Sequence, residues 1–193
     1  MSKEFVEIFG KWFYHDDYYE DHFIIDDLPH KFLKNGKPPE ISDIKGLERL
    51  KDIDGLTLAL GGITKIQNLQ DFVKLRALDL KFNRIAKIEG VDTLKNLEVL
   101  SLEYNHISKI ESLDNLENLT YLSLSNNKIT KIENLGNLKK LEILDLSSNN
   151  IKKLENMDEI TNLVELNVNY NNIEEIEGLE NLKKIKKIKN RRK

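Results

Sequence analysis

Between residues 15 and 22 the chain reads HDDYYEDH, which crowds His15, Asp16, Asp17, Glu20, Asp21 and His22 together. Imidazole and carboxylate groups ligate zinc and similar cations. Their spacing here fits no metal motif, so the expected state is a solvated acidic face, with no metal and no cofactor. Nucleophilic chemistry has even less to work with. The chain has no cysteine, which removes thiolate ligands, thiol nucleophiles and disulfides together. It contains no phosphate loop, no nucleophile elbow and no paired histidines on a helix. Of four histidines, only His106 falls in a strand-like segment. Asp79 and Glu103 are candidate neighbours for it, but no nucleophile or oxyanion donor joins them. The chain is not expected to be an enzyme.

The residues that recur do so for architecture. Six units of equal length begin at Ile53, Leu75, Leu97, Leu119, Leu141 and Leu163, a period of 75 − 53 = 22. Apolar residues return at positions 1, 4, 6, 11, 14, 17 and 20 of each unit, and Asn usually fills position 9. Segments such as LSL and LDL alternate apolar with polar, the pattern of a short strand buried on one face. The later apolar spacing of three suits a tight, partly 3₁₀ return. Position 16 holds Asn68, Gly90, Ser112, Asn134, Asn156 and Gly178, all turn formers. One such coil cannot bury its own apolar side, but stacked coils share a continuous core. Asn83, Asn105, Asn127, Asn149 and Asn171 sit where the chain turns inward after the strand. An amide side chain donates and accepts, so a column of them can satisfy the backbone groups the bend strands.

The pattern L-x-x-L-x-L-x-x-N-x-L over these units resembles the leucine-rich-repeat family. The form NxIxxIExLxxLxxL is similar to its short-repeat subclass, which includes the nuclear regulatory subunit of type-one protein phosphatase and the outer-arm dynein light chain. The resemblance covers roughly residues 41–188. It implies an α/β solenoid: a right-handed coil with a concave parallel sheet and a 3₁₀ or short helical convex side, to which the aromatic composition of residues 1–34 adds an N-terminal cap. It also implies non-catalytic binding of a protein partner on the concave strand face, as a scaffold or regulatory subunit.

Composition shifts at both ends set three expected regions: residues 1–40, 41–184 and 185–193. Residues 1–34 hold nine of the chain's fourteen aromatics. Phe5, Phe9, Trp12 and Phe13 follow helical spacing, with Ser2 as a candidate cap. This region is expected to cover the open end of the coil; a separate binding arm is the other reading. Residues 41–50 fit positions 11 to 20 of a preceding unit, whose strand half is replaced by KNGKPPE, where Pro38 and Pro39 exclude a sheet strand. Residues 181–193 carry eight Lys or Arg and no acid, so the net charge of −3 leaves −3 − 8 = −11 for residues 1–180. The basic end is expected to close the core with charge facing water; binding nucleic acid or an anionic membrane through it is the alternative function. No stretch approaches the roughly 18 apolar residues of a membrane span. Without cysteine or a secretory signal, the expected location is intracellular, cytoplasmic, or nuclear in a eukaryote.

Positions 3, 5, 7, 8 and 10 are free of the fold's demands, so function can show there. Large aromatic and charged groups gather at Asp79, Lys81, Phe82, Arg84, Glu103, Tyr104, His106, Tyr121 and Asp145. These residues are expected to bind a helix or an extended loop of a partner, the free chain being monomeric. Lys at position 13 and Glu at position 15 form convex columns read as solubility and register control.

Overall fold

The computed structural model describes residues 6–8, 11–13, 22–24, 40, 41, 44, 47–59 and 62–191, the first three segments through their backbone alone. Each unit opens on a three-residue strand with a leucine at its centre: β4 (Gly55–Thr57), β5 (Ala77–Asp79), β6 (Val99–Ser101), β7 (Tyr121–Ser123), β8 (Ile143–Asp145) and β10 (Glu165–Asn167). Neighbouring strands pair in parallel at a shift of one repeat, Leu56 opposite Leu78, then Leu100, Leu122, Leu144 and Leu166. All six leucines are fully buried. A slip by one residue would turn every one of them to water, so hydrophobic phase fixes the register.

Among the described residues the sheet has eight strands rather than six. β3 (His22–Ile24) pairs in parallel with β4, and β12 (Lys187–Lys189) with β10. β12 starts one full repeat after β10, in step with the other strands, whereas β3 starts one and a half repeats before β4. The strand missing from the preceding unit is thus supplied from beyond the proline segment, which itself lies outside the described residues.

The expected helix near the N-terminus is replaced by a hairpin. β1 (Val6–Ile8) pairs antiparallel with β2 (Lys11–Phe13). Val6, Ile8, Trp12 and Phe13 are β-branched or aromatic, types that favour strands, and this preference overrides the helical spacing. Phe5 and Phe9 lie outside the described residues. So does most of HDDYYEDH, of which only the His22 backbone is described.

After the strand comes the inward bend. The Asn127 side-chain oxygen accepts from Ile107 N at 2.9 Å, while its Nδ2 donates to Leu102 O, Leu124 O and Ser125 O at 2.9–3.1 Å. Asn83, Asn105, Asn149 and Asn171 repeat this set one coil apart. The return then runs in single 3₁₀-type turns, Leu116 N to Leu113 O and Leu119 N to Leu116 O, both 3.0 Å. A spacing of three puts successive apolar side chains on one side of such turns; only Leu47–Leu50 extends into a 3₁₀ helix among the described residues. Two short strands, β9 (Lys153–Leu154) and β11 (Glu175–Ile176), also pair on the return side. Of the Lys and Glu columns there, only Lys153 forms an ion pair among the described residues, with Glu177 at 2.9 Å and Glu175 at 3.3 Å.

The turn glycines provide a graded test. Gly90 has φ +68°, and a Cβ there would lie 2.4 Å from Ile66 O; Gly178 has φ +69°, but its nearest atom would be 3.5 Å away. A left-handed residue with a Cβ costs about 1–2 kcal/mol. Gly178→Ala is therefore expected to destabilise by about 1 kcal/mol, and Gly90→Ala by roughly twice that. Gly136→Ala, with ordinary φ and 3.8 Å of room, should be neutral or slightly stabilising. Urea midpoints of the three variants check this order.

Candidate functional site

Strand pairing turns single residues into columns. On the face opposite the buried leucines, Ala77, Val99, Tyr121 and Ile143 lie side by side. The next column holds Asp79, Ser101, Ser123 and Asp145. An apolar stripe therefore runs across four strands beside a polar one with a carboxylate at each end. Tyr121 is half-buried at the centre. Burial pushes its phenol up, the Glu103 charge adds to this, and Asp145 and Asp79 contribute less. Those three acids thus set the potential around one ring. The carboxylates differ in what they already hold. Asp79 pairs with Lys81 at 2.9 Å. Asp145 accepts from Ser147 N at 2.8 Å and from Asn167 Nδ2 at 2.9 Å. Glu103 has no side-chain hydrogen bond or ion pair among the described residues.

Where the chain leaves the sheet, the bend imposes a left-handed residue on successive coils: Phe82 (φ 55°), Tyr104 (53°), Asn126 (54°), Ser148 (54°) and Tyr170 (58°). Asn tolerates that conformation; an aromatic residue pays about 1–2 kcal/mol for it. Phe82 and Tyr104 stay outside the buried core, being 42% and 47% exposed. Their rings instead stack on one another, centroids 4.4 Å apart and planes at 14°. The result is a flat, rigid, solvent-facing aromatic step beside the acid-lined stripe.

The structure thus brings Asp79, Glu103, Tyr121 and Asp145 into electrostatic reach, and Phe82 and Tyr104 into contact. Arg84 and His106 stand apart, exposed beyond the bend. His106 Nδ1 lies 3.0 Å from Asn105 O, a bond that requires the Nδ1-protonated ring, and it forms no ion pair with Asp79 or Glu103 among the described residues. Sequence reasoning passed over Ile143, 38% exposed in the apolar column, and Ser123, fully buried on the same face. Ile143 was readable from its phase; the burial of Ser123 depends on neighbours that pattern does not specify. At the far end, the basic segment is built into the coil. Lys189 and Lys187 lie 2.5 and 3.5 Å from the Glu165 carboxylate, and the former contact holds that carboxyl below its usual range. Tyr170 N donates to Arg191 O, and Arg191 N to Asn169 Oδ1.

A strand–bend–return coil closed by an asparagine column is the architecture of leucine-rich repeats, and three family models together match residues 73–175. "Leucine rich repeat" matches 73–129, "Leucine Rich repeats (2 copies)" 117–159 and "Leucine Rich repeat" 159–175. The chain is a leucine-rich-repeat protein, and domains of this class generally mediate protein–protein interaction. In particular, it is similar to internalin C2 of Listeria monocytogenes, with 28% identity and a TM-score of 0.64 over 76% of this chain and 75% of that one. It is also similar to the functional domain of InlJ from the same organism, which includes a cysteine ladder, with 28% identity and a TM-score of 0.59 over 67% of this chain. The TLR13–ssRNA13 complex, at 23% identity and a TM-score of 0.63 over 73% of this chain, shares the fold alone. The chain spans 27% of the InlJ domain and 21% of TLR13. No curated protein matches it.

Proposed function

We propose that the chain is a non-catalytic protein-binding module, a scaffold or regulatory subunit, that grips its partner on the concave face across β5 to β8. The observation that carries this is the exposed Phe82–Tyr104 stack. Phe82 and Tyr104, like Tyr170 further along, bear a left-handed backbone cost that Asn126 largely avoids, and these two alone among them stack on one another while staying outside the buried core. Strained, exposed aromatic groups point to function, and Tyr and Trp are enriched among residues that dominate binding energy. Asp79, Lys81, Arg84, Glu103, His106, Tyr121 and Asp145 complete the proposed surface, where charges set association rate and selectivity. Eight strands at about 4.8 Å give the sheet roughly 34 Å of length, enough for one helix or extended loop of a partner. Placement inside a cell and a monomeric free state are part of the same reading, as is kinship with the phosphatase regulatory subunit, which rests on repeat form.

Binding through the basic end is disfavoured, because Glu165 already takes two of its lysines. A photo-crosslinking residue placed at Phe82 is expected to capture a discrete protein from native extract, and one at convex Lys109 is not. Capture from Lys109 with none from Phe82 would assign the interface to the other side.

A further inference from the structure

The concave floor also specifies the charge of what it receives. From this geometry we infer that the acid-lined zone around Tyr121 takes a cationic side chain, Arg or Lys, from a partner segment whose apolar residues lie along Val99, Tyr121 and Ile143. This rests on the concave-face reading above and adds the partner's chemistry to it.

Charge complementarity supports the choice. Asp79, Glu103 and Asp145 carry three negative charges on this floor; Lys81, paired to Asp79, offsets one, and Lys189, already held by Glu165, acts on Asp145 from two strands away. The field is strong enough to bear on the Tyr121 phenol, after burial itself. Glu103 is the carboxylate left without a hydrogen bond or ion pair among the described residues, so it is ready to accept from a guanidinium or ammonium group. The half-buried Tyr121 ring offers a cation a π face.

A second observation is independent of the acids. Ser123 stands in the column between Ser101 and Asp145 and is fully buried, yet its Oγ has no hydrogen-bond partner among the described residues. It lies near enough to the Tyr121 phenol to favour its ionised form, but no hydrogen bond of ordinary geometry forms. A buried hydroxyl costs free energy when unsatisfied. A cation drawn to Glu103 would bring N–H donors to this side of the sheet. The cations Arg84 and Lys128 are exposed two residues past the bend residues Phe82 and Asn126, and neither is among the charges that act on the Tyr121 phenol. An acidic segment would meet like charge; a purely apolar one would leave Glu103 desolvated and unpaired, which is costly.

Amide NMR of the full chain can test this with three small probes, the blocked amides N-acetyl-arginine amide, N-acetyl-leucine amide and N-acetyl-glutamate amide. The arginine probe is expected to shift the amides of Glu103, Tyr121, Ser123 and Asp145, to lose at least fivefold in affinity in Glu103→Gln, and to weaken with added salt. The glutamate probe is expected to leave these amides unmoved. Silence of the arginine probe at these amides, or an unchanged response in Glu103→Gln, would overturn the cationic inference. A leucine probe that shifts Val99, Tyr121 and Ile143 while the arginine probe does nothing would likewise overturn it and leave the concave site standing. Failure of the concave site itself is read separately, in the crosslink from Phe82.

Discussion

Asn171→Ala is expected to cost the fold at least as much stability as Asn127→Ala, about 2 kcal/mol each. A simpler view makes the middle of the column dearer, since fewer waters should reach it. The structure reverses that expectation in two ways. Asn171 is 2% exposed and Asn127 8%, so the end is no wetter than the middle. The carbonyls are also shared. Leu124 O accepts from both Asn127 and Asn149, and Leu102 O from both Asn105 and Asn127. Removing Asn127 therefore leaves each of these an asparagine donor and, among the described residues, fully strands only the Ile107 amide. Removing Asn171 strands the Ile151 amide and also Val168 O, which has no second asparagine donor among the described residues. Asn127→Asp should be worse than Asn127→Ala, because it keeps the acceptor but sets a buried negative charge against carbonyl oxygens. Urea unfolding of the three variants checks this. A loss at Asn127→Ala that exceeds the loss at Asn171→Ala by about 1 kcal/mol would restore the water-access account.

How much of this was legible beforehand varies along the chain. The positions of Leu56, Leu78 and Leu100 dictated the coil, because a period that places them identically in every unit admits one register. Asn127 was equally readable, since a bend that strands backbone groups needs a side chain able to give and accept. The hairpin of Val6–Ile8 with Lys11–Phe13 was not. Phe5, Phe9, Trp12 and Phe13 satisfy helical spacing, and only strand propensity and pairing override it. β3 was hidden for another reason: it sits half a repeat out of step with β4 and the strands that follow. At the candidate site, Tyr121 stood out by type. The stacking of Phe82 on Tyr104 and the left-handed backbone beneath them belong to the bend's geometry, which residue types alone do not reveal.

The second large effect concerns binding. Tyr104→Ala combined with Tyr121→Ala is expected to weaken partner binding by about 2 kcal/mol or more. Tyr121 loses a ring at the centre of the apolar stripe, where desolvation makes each contact count. Tyr104 loses half of the stacked step, and Phe82 loses the ring that holds it in place. The fold should survive, because neither side chain belongs to the buried core. Tyr104→Asn in place of Tyr104→Ala gives a version whose bend is certain to form, since Asn126 already serves there one coil on.

The measurement that bears most directly on the concave-face account is calorimetric titration of the crosslink-captured partner into three proteins. These are the wild-type chain, the double tyrosine variant, and a convex variant carrying Lys109→Ser with Glu111→Ser. The account predicts a loss of about 30-fold or more for the tyrosine variant, equivalent to about 2 kcal/mol, and a change under about twofold for the convex one. Near-wild-type affinity in the tyrosine variant, with binding lost in the convex variant, would contradict it.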